Sequence, residues 1–235
     1  MVSNKLLFNE DQAKTPDEIR ELIAGFRYKE AVQEIIEKSN RLLDSDGEVF
    51  LACTARILSN FGMTRAGPFK GVGITRSGNI KGREILVQCW SEIGDDLIEI
   101  RRSVINSGYS RDRFLLELSK REFDRLIAQI WVMTKRLLPL TMGKTSYGLV
   151  GASKILFAVL PEIVLPVDSQ QWLQLFKTVD IGDIIKRMRS DIQQWEDITH
   201  RSLNEVDNSR ILTTLPSVYN VITMNARQEK AIPNH

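Results

Sequence analysis

Histidine is nearly missing from these 235 residues: the chain has two, His200 and His235. Cysteine is as scarce, with Cys53 and Cys89 standing singly in apolar helical surroundings. So small a supply does not furnish a Cys/His zinc centre, and it leaves a cysteine–histidine nucleophile pair dependent on His200. A disulfide framework is not indicated either, and buried free thiols in a reducing compartment are expected. No acidic spacing points to a carboxylate metal site, and no cofactor is called for. Long apolar runs are absent too. Nothing reaches the roughly 20 residues a membrane-spanning helix needs, and MVSNKLLFNEDQAK meets charge too early for a signal peptide. The expectation is a cytoplasmic protein without a membrane partner. Net charge is also small, +2 from 32 Lys+Arg and 30 Asp+Glu, so any recognition of an acidic partner must come from local clustering.

What is present is an ordinary globular composition, 43% hydrophobic and 26% charged, with enough apolar surface for a substantial core. The periodicity is overwhelmingly helical. Thr15-Pro16-Asp17-Glu18 reads as a helix start, with an N-cap, a proline at the first position and acids at the positive dipole end. Apolar residues recur at helical spacing from there to Leu43, and again over 48–60. The stretch 84–106 continues the pattern until Asn106-Ser107-Gly108. Ser110 is expected to cap another long helix running through Phe114, Leu118, Phe123 and Trp131. Pro139–Tyr147 reads as a turn, Ala152–Leu160 as a helix and Pro161–Val167 as extended. Asp168-Ser169 starts the next helix, and two more follow near 180–200 and 216–226. No repeat or dividing linker interrupts this, so the expectation is all-α: a single compact multi-helix domain over 1–235, frayed at 1–14 and 228–235.

One segment breaks the helical character. Residues 61–83, FGMTRAGPFKGVGITRSGNIKGR, hold six glycines and no acid, and read as a loop or short hairpin. Gly71-Val72-Gly73 does not extend to a dinucleotide fingerprint, because Arg76 stands where the third glycine belongs. Gly143-Lys144-Thr145 likewise imitates only the end of a P-loop, since Leu138 occupies the place of its first glycine. The cations Arg65, Lys70, Arg76, Lys81 and Arg83, set among glycine-freed amides, are nevertheless what a phosphate backbone would meet. The bland counterpart is a solvated surface loop. A second acid-free window separates Asp124 from Glu162 and contains Arg125, Lys135, Arg136, Lys144 and Lys154.

Within that window lies GKTSYGLVGASKILFAVLPEIVLPVDSQQW. A helix ending in Leu137-Leu138, a turn, Gly148-Leu149-Val150-Gly151, a helix bearing Lys154 and then Leu165-Pro166-Val167-Asp168 together resemble the helix-hairpin-helix DNA glycosylases, over about residues 137–172. The resemblance implies that hairpin amides around Gly148 and Gly151, with Lys144, bind DNA phosphate. It implies a catalytic aspartate at Asp168 and, for backbone-cleaving members, a nucleophilic amine at Lys154. This hairpin is Gly-x-x-Gly with its lysine three residues on, where the family has Gly-x-Gly with lysine two on. Chemically, a carboxylate beside the anomeric carbon stabilises the cationic sugar formed when an N-glycosidic bond breaks. A lysine nucleophile must be neutral, and burial with Lys144 and Arg136 nearby would lower its pKa. Tyr147 and Trp172 are candidates to stack on a base.

Plainer readings stand beside these. Asp168 before Ser169-Gln170-Gln171 is a good N-cap, Lys154 can snorkel to the surface from an amphipathic helix, and Trp172 can be core. The whole chain can equally be a non-enzymatic helical binding or assembly module, or a small-molecule enzyme with a pocket near Trp90, Trp131 or Asn220.

Overall fold

The computed structural model describes residues 13–39, 47–142, 148–207 and 212–229. They form an all-α multi-helix domain with one small antiparallel hairpin. In order come α1 (Pro16–Ala24), α2 (Lys29–Lys38), α3 (Glu48–Asn60), β1 (Gly73–Ile74), β2 (Ile80–Lys81) and α4 (Glu84–Asn106). Then follow α5 (Phe114–Glu117), α6 (Lys120–Thr141), α7 (Leu149–Phe157), a π-helical turn at Gln171–Phe176, α8 (Ile181–Thr199) and α9 (Leu215–Glu229).

The caps set the boundaries. Thr15 and Glu18 form a reciprocal capping box, and the expected start of α1 holds. The helical run expected as far as Leu43 is cut at Gly25, which caps α1 before α2 begins; Asn40–Leu43 lie outside the described residues. Ser110 does not begin the next long helix. Ser119 does, because Glu122 three residues on completes a capping box that Ser110 lacks. Pro139 does not end α6 either. It sits in the last turn, where the helix loses only one amide hydrogen bond.

α7 is the interior helix. LVGASKILF is apolar nearly all round, and every residue from Gly151 to Val167 is buried. α3 and α6 pack against it, while α4 lies on α6 through Leu86, Cys89, Ile93, Leu97 and Ile100. Each such buried side chain contributes about 1.5–3 kcal/mol. Burial also holds the Cys89 thiol up at about 12, so it stays protonated.

The segment leaving α7 is not extended from Pro161 as expected, since 161–163 is a hydrogen-bonded turn, and it is pinned by charge. Glu162, fully buried, accepts from Arg101 Nη1 at 2.9 Å and from Arg111. Arg111 in turn donates to Ser39 Oγ at the end of α2, at 2.7 Å. This ties α2, α4 and the 158–167 segment together ahead of Asp168.

Candidate functional site

The segment 61–83 is both of the things expected: a loop that ends in a hairpin. Its anchor is Phe69, fully buried, with Val72 beside it. Phe69 reaches α7 at Gly151. A Cβ there would meet the Phe69 ring and Thr141 Cβ at 2.9 Å, so glycine is required by the approach of these two side chains. Gly148 is constrained differently. Its φ of +80° belongs to the left-handed region, and a Cβ would lie 2.7 Å from the Leu138 carbonyl oxygen. Thr141 Oγ1 donates to the Gly148 carbonyl at 2.8 Å, closing the α6–α7 hairpin. The N-cap residue of α7 is Gly148, and among the described residues no side chain caps that first turn.

Lys154 does not snorkel. It is 3% exposed, because α7 presents no polar face along which a lysine could reach water. Its ammonium donates to the Val167 carbonyl at 3.0 Å and lies 5.5 Å from the centroid of the Phe61 ring. Burial pushes its pKa down to about 8, against the opposing pull of the Asp168 carboxylate nearby. The direction is the expected one, and among the described residues desolvation is the cause that lowers it. Arg136, expected to contribute, is paired with Asp96 and donates to the Glu92 carbonyl.

Asp168 caps a helical turn and remains half-buried. Its Oδ1 accepts from the Gln171 amide at 2.8 Å, and its own amide donates to Gln171 Oε1 at 2.7 Å. This reciprocal pair is a capping box with glutamine in the usual glutamate place. Gln171 is held from the other side as well, since its Nε2 donates to Asn220 Oδ1 at 3.0 Å and Thr223 Oγ1 at 2.8 Å. The helix beyond is wound wide, with the Lys177 amide reaching back five residues to the Trp172 carbonyl at 2.7 Å. Trp172 lies in this turn, half-buried against the core.

Lys70, Arg76 and Lys81 are exposed and form no ion pair with a described residue. Arg83 is exposed but bonded to Glu48 at 2.9 Å. Lys144 and Tyr147 lie outside the described residues. Thus Lys154 and Asp168 are brought within electrostatic reach of each other, and Phe61 and Phe69 join the basic segment to the same helix. Phe61, Gln171, Asn220 and Thr223 belong to this neighbourhood although sequence gave no reason to group them. For Gln171 alone a local signal existed, the spacing Asp-x-x-Gln. Among the described residues no cluster of His, Cys, Asp or Glu could hold a metal ion, and no helix is long and apolar enough to cross a membrane.

No family model matches this chain, and neither curated proteins nor solved structures yield a match.

Proposed function

We propose that this protein engages DNA and removes a base from it, with Asp168 as the reacting carboxylate. One observation carries the reading: α7 links the acid-free basic segment, seated on Gly151 through Phe69, to the Lys154–Asp168 pair. A phosphate backbone would lie along the exposed cations Lys70 and Lys81. A nucleotide swung out of the stack would present its anomeric carbon to Asp168. The C1′–N bond breaks with its electron pair going to the base, and the carboxylate stabilises the cationic sugar. Water then adds to C1′, and its displaced proton passes by way of Asp168 to the departing base. The products are an abasic site and the free base.

Lys154 is a positioning residue in this scheme. Its ammonium is spent on the Val167 carbonyl, one residue before Asp168, and it holds that turn in place.

The test is release of base from a panel of damaged and mismatched duplexes. Asp168→Asn keeps a competent N-cap, so the fold persists, while base release falls about a hundredfold or more. Equal release by parent and variant removes the role of Asp168. No release by the parent on any duplex refutes the enzyme and leaves the binding module.

A further inference from the structure

The 73–81 hairpin is built more firmly than a solvated loop needs to be. Its tip, Thr75-Arg76-Ser77-Gly78, closes with the Gly78 amide donating to the Thr75 carbonyl at 3.0 Å, and Gly78 takes φ +81°. The Thr75 amide donates to the Asn79 carbonyl at 2.8 Å, and the Asn79 amide returns to Thr75 Oγ1 at 3.1 Å. Ser77 Oγ is bonded to both Thr75 Oγ1 and Asn79 Nδ2. The base is set in the core by Phe69 and Val72, and the Gly71 amide donates to the Thr64 carbonyl at 3.0 Å. The three side chains that tie the tip leave Arg76 exposed at its apex.

The two faces differ. Ile74 stands opposite Ile80 and Gly73 opposite Lys81. Ile80 packs on the core, and Ile74 continues that apolar face outward, 40% exposed. On the other face Lys81 stands exposed opposite Gly73, and the space over Gly73 is open. A rigid projection with cations and no acid repels cationic partners and attracts a polyanion. An exposed isoleucine additionally calls for apolar atoms on that polyanion.

We infer that this hairpin docks in the major groove of duplex DNA, with Arg76 at the base edges and Lys70 and Lys81 on the flanking phosphates. The inference rests on the DNA-engaging half of the proposed function and not on base removal. The dimensions agree. Three residues from Gly73 to Arg76 extend about 10 Å at roughly 3.3 Å each. The major groove is about 8.5 Å deep and about 12 Å wide and admits a two-stranded ribbon, whereas the minor groove, about 6 Å wide, does not. Thymine methyls and sugar C–H groups supply the apolar contact for Ile74. A-form RNA is a poor match, because its major groove is deep and narrow.

The experiment measures binding of the full chain to a fluorescent duplex across a salt series. Arg76→Gln is expected to weaken binding about tenfold, and Lys81→Gln to lower the log–log salt slope by about one. Lys186→Gln, on α8 and paired with Asp183, changes neither. Melting temperatures of these surface variants should equal the parent's, which excludes unfolding as the cause. Methyl green, a major-groove ligand, should displace the protein and netropsin, a minor-groove ligand, should not.

The inference is overturned if the Arg76 and Lys81 variants bind like the parent, if netropsin alone competes, or if an RNA duplex of the same sequence binds equally well. Tighter binding to vesicles of anionic phospholipid than to duplex also overturns it. Hairpin variants that bind like the parent while the parent still releases base would overturn the hairpin inference and leave the enzyme reading intact. Binding without base release would do the reverse.

Discussion

Replacing Lys154 by methionine tests the interior of this protein most directly. Methionine has nearly the same length, so packing around α7 is kept and only the amine is lost. Two opposing consequences follow at pH 7. The Val167 carbonyl loses its 3.0 Å donor, a cost of about 1–2 kcal/mol. Against that, a buried charge disappears. Its cost is set by the gap between the ordinary lysine value of 10.5 and about 8 in the folded chain, which is worth about 3 kcal/mol. Lys154→Met should therefore equal or modestly exceed the parent in stability at neutral pH.

The pH dependence is the sharper readout. Below about pH 8 the amine is charged in both folded and unfolded chains, and the folded state carries the whole penalty. Between about 8 and 10.5 the folded amine has lost its proton while the unfolded one keeps it. The unfolded state then binds more protons, so stability rises with pH. Above 10.5 both are neutral and the penalty is gone. Urea unfolding followed by tryptophan fluorescence from pH 7 to 10.5 should show the parent gaining about 3 kcal/mol relative to Lys154→Met. Other titrating groups cancel in that difference. In an Asp168→Asn background the rise should begin at lower pH, because the carboxylate that supports the ammonium has been removed. A flat difference profile would refute the reasoning, since it would mean that the amine reaches water.

Two further perturbations examine the scaffold. Glu162→Gln leaves Arg101 and Arg111 without their shared carboxylate, one of them fully buried, and should cost about 3–5 kcal/mol by urea titration; a cost below about 1 kcal/mol would show that this anchor is dispensable. Gly151→Ala drives a methyl onto Phe69 and Thr141 and should cost about 1–3 kcal/mol, with faster proteolysis of the 61–83 segment than in the parent. Unchanged stability would mean that Phe69 is not seated there.

The helices were legible wherever a local signal was complete. Thr15-Pro16-Asp17-Glu18 contains cap, proline and reciprocal acid within four residues, and α4 shows its buried stripe at regular spacing. Ser110 misled because a serine ahead of an apolar run is only half a signal; the glutamate three residues after Ser119 supplies the other half. Pro139 misled because a proline in a last turn costs only one hydrogen bond and so need not end the helix. Burial of Lys154 was not legible. Lysine ordinarily reaches water, and only the packing of α3 and α6 on both sides of α7 denies it that route. Gln171 meets Asn220 across 49 residues and Arg101 meets Glu162 across 61, so both contacts depend on tertiary placement that no local pattern encodes.

The cost of Lys154 also bears on what the site is for. If the side chain merely filled space, an apolar residue of the same length would serve at neutral pH without desolvating a charge. What an apolar residue cannot supply is a positive charge within reach of Asp168, whose carboxylate raises the Lys154 pKa against the effect of burial. That charge restrains the carboxylate electrostatically while Gln171, braced by Asn220 and Thr223, restrains it through hydrogen bonds. Two independent restraints on one half-exposed acid exceed what capping a single turn requires, since capping contributes about 1 kcal/mol and the buried amine costs about three times as much. An expense of that kind is typical of a group whose position matters to chemistry, and it is why Asp168, rather than the more numerous exposed carboxylates, is the residue on which the proposed reaction is placed.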